Sequence, residues 1–180
     1  MTLGTPPEPP RRRFDPPDPL GQERNTMSDE RVSGQCLCGA VKVEGTPVPD
    51  GTPAGNGLGA CHCDMCRRWT SSVYVEIALA KDTLKVEGPV KTFTSSEWAE
   101  RAFCETCGSP LWYKLTIEGT ESEPLQVSAG LFENAANREL SLEVFIDRKP
   151  DGYAFAGDHK SFTEAEIFAM YAPPPEGGEP

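Results

Sequence analysis

The chain has 180 residues, and its 28 acidic against 17 basic side chains leave a net charge of −11 near neutral pH. A surface of that sign repels nucleic acid and anionic lipid, whose recognition needs clustered Lys or Arg. No run approaches the ~20 apolar residues of a membrane-spanning helix, so one soluble domain with tails is expected, without nucleic-acid or membrane partners.

Residues 1–26 read as a disordered Pro-rich tail. Pro6, Pro7, Pro9, Pro10, Pro16, Pro17 and Pro19 interrupt a stretch with almost no apolar side chain to offset the entropy of ordering. Arg11, Arg12 and Arg13 are not followed by the hydrophobic run of an export signal. Met27, just ahead of the first patterned sequence, is the expected true start. Residues 27–171 form the expected domain, long enough for a proper hydrophobic interior. Residues 172–180, with Pro173, Pro174 and Pro175, are expected to be a second disordered tail.

Within the domain, Cys36 and Cys38 come first, as a C-x-C pair followed by Gly39. Strands are predicted at 41–44, 73–78, 84–86, 90–93, 101–103, 111–115, 125–128 and 144–146, where β-branched and aromatic residues recur between turn signals. The loop at 46–59 is rich in Gly, Pro and Asn. Its Gly55, Gly57 and Gly59 lack the strand, helix and Lys-Ser/Thr ending of a phosphate cradle, so it reads as a surface loop placed to serve as a lid. Asp64 is a candidate cap for a short turn running to Trp69, and Glu87-Gly88-Pro89 a candidate hairpin turn. Residues 162–171 carry the best helix signal, with Thr163 as N-cap and Glu164 and Glu166 in the first turn. The fold class predicted is mainly β: a compact, zinc-stapled antiparallel sandwich or open barrel with few short helices.

All seven cysteines fall in three tight groups: the pair at 36 and 38, the triplet Cys61, Cys63 and Cys66, and the C-x-x-C pair Cys104 and Cys107. An odd count and very small rings argue against a disulfide framework, and clustering argues against inert buried thiols. Iron–sulfur ligation is the rival metal reading, though only the triplet approaches the usual cluster run. Zinc accounts for the numbers: a closed structural site takes four protein ligands, and a reactive site takes three and keeps one position open. Cys36, Cys38, Cys104 and Cys107 are therefore expected to form a structural site. Gly39 and Gly108 would allow the sharp turns around it. Cys61, Cys63 and Cys66 are expected to hold a second, reactive ion, with a fourth ligand from water, substrate or a distant residue. His62 and His159 are read as polar or packing residues rather than ligands. Trp69, Trp98 and Trp112 read as core or pocket wall. Arg67 and Arg68, with Lys114, are the candidate contacts for an anionic substrate. Reduced thiolates suit the cytoplasm.

The segments Gly34-Gln35-Cys36-Leu37-Cys38-Gly39-Ala40-Val41, Ala60-Cys61-His62-Cys63-Asp64-Met65-Cys66-Arg67 and Phe103-Cys104-Glu105-Thr106-Cys107-Gly108-Ser109-Pro110 resemble the glutathione-dependent formaldehyde-activating family, which includes centromere protein V. The late Phe145-Ile146-Asp147-Arg148-Lys149 and Tyr153 resemble the family's closing region. By position the resemblance implies two zinc ions per chain, with Cys36, Cys38, Cys104 and Cys107 as structural ligands and Cys61, Cys63 and Cys66 as catalytic ones. It also implies a carbon–sulfur lyase that joins glutathione, or a related thiol, to formaldehyde or another small aldehyde. Glu143 stands where the family often has histidine, and Gly152 where it often has tryptophan. A non-catalytic zinc module, or a thiol or metal sensor, is the alternative.

Overall fold

Among the described residues, short β-forming segments build eleven strands in two sheets. The computed structural model describes residues 31–48 and 57–171. Both expected tails, Met27 and the middle of the 46–59 loop, with its lid role, lie outside the described residues. The smaller sheet has the order β1-β2-β5, from β1 (Val32–Gln35), β2 (Lys42–Gly45) and β5 (Lys85–Glu87). The larger has the order β11-β10-β3-β4-β9-β8-β7-β6. Its strands are β3 (Leu58–Cys61), β4 (Tyr74–Leu79), β6 (Val90–Ser96), β7 (Ala99–Cys104), β8 (Pro110–Leu115), β9 (Leu125–Ser128), β10 (Leu140–Val144) and β11 (Lys160–Phe162). Two helices complete the set, α1 (Asp64–Thr70) and α2 (Glu164–Met170). Neither sheet closes on itself.

The mainly-β expectation holds, with three corrections. Strand β10 runs parallel to both β3 and β11, so the large sheet is mixed; long connections, unlike hairpins, permit that direction. The turn at 87–89 is a crossover, because β5 pairs with β2 and β6 pairs with β7 in the other sheet. The strand expected at 144–146 lies earlier, at β10: Phe145 adopts a left-handed φ of 58° and Ile146–Arg148 form a 3-10 turn. Helix α2 starts as expected, with Thr163 and Glu166 exchanging a full capping box.

The core lies between the sheets. Val41 and Val43 from the β2 side meet Ile77 and Leu79 of β4, Val127 of β9 and Leu111 of β8, all at most 1% exposed. Burying each such side chain stabilises the fold by about 1.5–3 kcal/mol. Pairing register then fixes what the other face of the large sheet carries. Cys61 stands opposite Tyr74, Glu76 opposite Ser128, Gln126 opposite Tyr113, and Tyr113 opposite Arg101. Cross-strand partners share a face, so these residues form one polar surface turned away from Ile77 and Val127. Helix α1 covers part of it, with Trp69 5.2 Å from Tyr74, ring to ring.

Candidate metal centres

The first cluster joins the two sheets. Cys36 and Cys38 follow β1 of the small sheet, while Cys104 ends β7 of the large one and Cys107 follows it. Their four sulfurs all lie within 4.8 Å of one another. The Cys36–Cys38 and Cys38–Cys104 separations are 3.5 and 3.9 Å. Tetrahedral ligation with zinc–sulfur bonds of ~2.3 Å puts sulfurs about 3.8 Å apart, so the donor set fits a tetrahedral thiophilic ion. Both loops turn alike: Gly39 and Gly108 each have φ of 75°, a conformation costly for any residue with a Cβ. Backbone and hydroxyl donors face the sulfurs. Val41 N–H donates to Cys36 Sγ at 3.2 Å, and the Ser109 hydroxyl lies 3.2 Å from Cys107 Sγ and accepts from Leu37 N–H. Ser109, by side chain and backbone, holds the Cys107 thiol down to about 5.

The second cluster sits where β3 runs into α1. Cys61 ends the strand, Cys63 is the helix N-cap, and Cys66 occupies the first turn, 4% exposed. The cap is therefore the Cys63 sulfur, which accepts from Cys66 N–H at 3.4 Å, and not the expected Asp64. The three sulfurs also lie within 4.8 Å of one another, and no fourth side chain joins them among the described residues. Their ionisation shows the crowding. Hydrogen bonds from the Cys61 and Cys66 thiols hold Cys63 down to about 2, whereas the same contacts and burial push Cys61 well up. At Cys66 the Cys61 bond pulls down, but the Cys63 thiolate and burial outweigh it and push the group up to about 12. One thiolate bracketed by two thiols is a set that a divalent cation completes by displacing protons.

Neither histidine points at the sulfurs. His62 is fully buried; Nδ1 lies 3.1 Å from Tyr153 Oη and Nε2 2.7 Å from Glu143 Oε2. His159 Nε2 meets the other Glu143 oxygen at 2.5 Å. Burial pushes His62 down although Glu143 pulls it up; Glu143 is held low, against burial, by hydrogen bonds from both histidines. Glu143 is thus clamped on the opposite face of the sheet from Cys61, and Gly152 is an exposed turn residue with open space around it.

Arg67 and Arg68 line a cleft of about 460 Å³ along α1, with Asp64, Ser71, Ser72, Pro150 and Tyr153; none of the three cysteines lines it. Arg67 is committed locally: its Nε donates to the His62 carbonyl at 2.9 Å and its guanidinium pairs with Asp64. Arg68 has no hydrogen-bond or ion-pair partner among the described residues. Lys114 is turned to the other face of β8 from Tyr113 and does not line this cleft.

Sequence reasoning missed Arg101. It is 2% exposed, its Nη2 lies 3.7 Å from Cys66 Sγ, and its guanidinium carbon lies 5.4 Å from the Trp69 ring and 5.2 Å from the Tyr113 ring. Glu76, in the same polar face, was missed as well. A charged residue inside an otherwise β-forming run, as at 73–78 and 99–104, was the available signal.

The mainly-β scaffold gathers seven cysteines into one four-sulfur and one three-sulfur cluster, each of which could hold a thiophilic metal ion. Residues 31–148 match the family model described as glutathione-dependent formaldehyde-activating enzyme. A Schizosaccharomyces pombe protein described as an uncharacterized lyase is 33% identical over 135 residues, covering 74% of this chain and 92% of that protein. The chain belongs to the glutathione-dependent formaldehyde-activating enzyme family. A crystal structure of a Rhodobacter sphaeroides protein aligns with a TM-score of 0.44 and 23% identity, over 56% of this chain and 87% of that one. Membership points to glutathione-dependent aldehyde activation or a lyase reaction.

Proposed function

We propose that the protein is a two-zinc carbon–sulfur lyase that adds glutathione, or a related thiol, to formaldehyde or another small aldehyde. The observation that carries the reading is the inequality of the clusters: four sulfurs in one, three with no fourth side chain among the described residues in the other. Cys36, Cys38, Cys104 and Cys107 would hold a structural ion that ties the sheets together. Cys61, Cys63 and Cys66 would hold the reactive one, whose chemistry is Lewis-acid polarisation of a thiol or carbonyl.

In the addition itself, the thiol sulfur bonds to the carbonyl carbon, the C=O π bond breaks, and the thiol proton ends on the oxygen. The product is a hydroxymethyl thioether of the S-hydroxymethylglutathione type. Around that step the chain supplies position and charge. The cleft along α1 would bind the anionic part of the thiol while Cys61, Cys63 and Cys66 serve its reacting end, which replaces a chance encounter with a local one. Arg68 offers an unspent guanidinium to a glutathione carboxylate, and Arg67 shapes the same wall while held by Asp64. Such a local basic patch is needed because the chain as a whole, at −11, repels an anionic thiol.

Seven unpaired thiols suit a reducing compartment such as the cytoplasm. The net acidity disfavours nucleic-acid partners, and no described helix is long and apolar enough to cross a membrane. Calorimetric titration of the zinc-loaded chain with glutathione tests the proposal. Saturable binding that Cys63→Ser abolishes is expected; binding that persists undiminished in that variant contradicts it.

A further inference from the structure

Arg101 carries a permanent charge one strand in from the edge of the large sheet, and Glu76, the carboxylate on the same polar face, does not pair with it. Among the described residues it forms no ion pair with Asp or Glu. Its contacts are Cys66 Sγ at 3.7 Å from Nη2, the Ser95 hydroxyl at Nη1, and the two flanking rings of Trp69 and Tyr113. Nε is buried with no hydrogen-bond partner. A guanidinium removed from water needs an anion nearby. Among the described residues, the group in contact that can supply one is the three-sulfur cluster, through Cys66.

The charge balance then differs between the two clusters. Three thiolates around a divalent ion carry −1, which Arg101 neutralises. Four thiolates carry −2, and at the first cluster no Arg or Lys side chain is bonded to a sulfur among the described residues; there Cys38 is exposed and Cys107 half-buried, so water shares the charge. A neutral centre can accept an anionic fourth ligand without building up the −2 that would be costly in a buried position. A centre left at −1 would favour a neutral donor instead.

The geometry points to Arg101 as the residue that makes the three-sulfur centre selective for an anionic sulfur ligand, the thiolate of the thiol substrate, over neutral donors. Its role is positioning and charge balance through Cys66, and Trp69 and Tyr113 fix its plane. This inference rests on the reading of the triplet as a metal site, and its test separates the two.

The full chain is loaded with Co²⁺ in place of zinc, because cobalt–thiolate absorption reports the ligand set. Metal per chain is measured in each sample, which is then titrated at fixed pH with glutathione and, separately, with imidazole as a neutral donor. Arg101→Gln is expected to weaken the glutathione-induced spectral change by roughly tenfold or more, the scale of one lost charge-assisted contact, with imidazole binding unchanged or tighter. Arg101→Lys, which keeps the charge, is expected to restore most of the preference. Equal weakening of both ligands, or a glutathione shift of less than about twofold, overturns the assignment. Should Arg101→Gln not fold, the unsubstituted protein decides: thiocyanate, a small anion, must perturb the cobalt bands, and no response overturns the inference. A wild-type chain that takes up only one Co²⁺ refutes the metal reading of the triplet itself; two ions with an unaltered ligand preference refute only the role of Arg101.

Discussion

The Glu76 carboxylate lies directly over Gly59 on the neighbouring strand, where a Cβ would stand only 2.1 Å from Oε1. A glycine is needed there because the acid occupies the space a side chain would take. The other oxygen, Oε2, is shielded from solvent and has no hydrogen-bond partner. Desolvation alone pushes this carboxyl up to about 8, from 4.5 for the free group.

That shift gives a pH-dependent stability with a definite sign. Between pH 4.5 and 8 the folded chain holds a proton that the unfolded chain releases, so this group's contribution is complete below 4.5 and is lost as pH rises through 8. Glu76→Gln removes the dependence. Thermal melts should show the variant clearly more stable than wild type at pH 8.5 and little different at pH 5. An equal shift at both values would contradict the argument.

Glu143 ties two histidines from distant segments, His62 and His159, to one carboxylate. Glu143→Ala would leave both rings without their acceptor, and urea unfolding should register a loss of about 1–3 kcal/mol, as for buried donors left unsatisfied. The same variant should retain its full metal content, since neither histidine faces the sulfurs. Loss of an ion on this substitution would mean that the network feeds into the metal site.

Cys104→Ser strikes the junction between the sheets. Structural zinc contributes roughly 10–16 kcal/mol of binding free energy that is spent on folding, so losing one ligand should cost on the order of 5 kcal/mol and leave a largely unfolded chain. Circular dichroism would show it, and a native spectrum with an unchanged melting temperature would refute the structural role.

In the cleft along α1, Arg68→Ala should weaken glutathione binding about three- to tenfold by calorimetry, the range for one charge-assisted contact. Arg67→Ala should instead show a stability loss of about 1–2 kcal/mol, because its guanidinium bonds the His62 carbonyl and Asp64. Unchanged glutathione affinity in Arg68→Ala would remove that residue from the site.

Much of this was legible in the chain. The spacing of the cysteines marked both clusters before any coordinate, and most strands announced themselves by β-branched content. Thr163 and Glu166 spelled out the start of α2. What escaped had physical reasons. Strands β1, β3 and β11 are short, and the first two are interrupted by Gly34 and Gly59, so their β signal is weak. Arg101 alternates with Ala102 as a solvent-facing charge would; it is buried because Trp69 of α1 and Tyr113 of β8 flank its guanidinium. His62 and Glu143 are 81 residues apart, and their partnership depends on the parallel pairing of β10 with β3. The cap of α1 was misassigned to Asp64 because sulfur is a rare capping acceptor, whereas the Cys63 thiol reaches the Cys66 amide.

The most direct test is the zinc content of the purified full chain and of its Cys63→Ser variant. Serine is a favoured N-cap, so the substitution keeps α1 capped while removing one soft ligand. The account predicts two zinc ions in the wild type and one in the variant, with matching circular dichroism spectra. One ion in the wild type, or two in the variant, would contradict it.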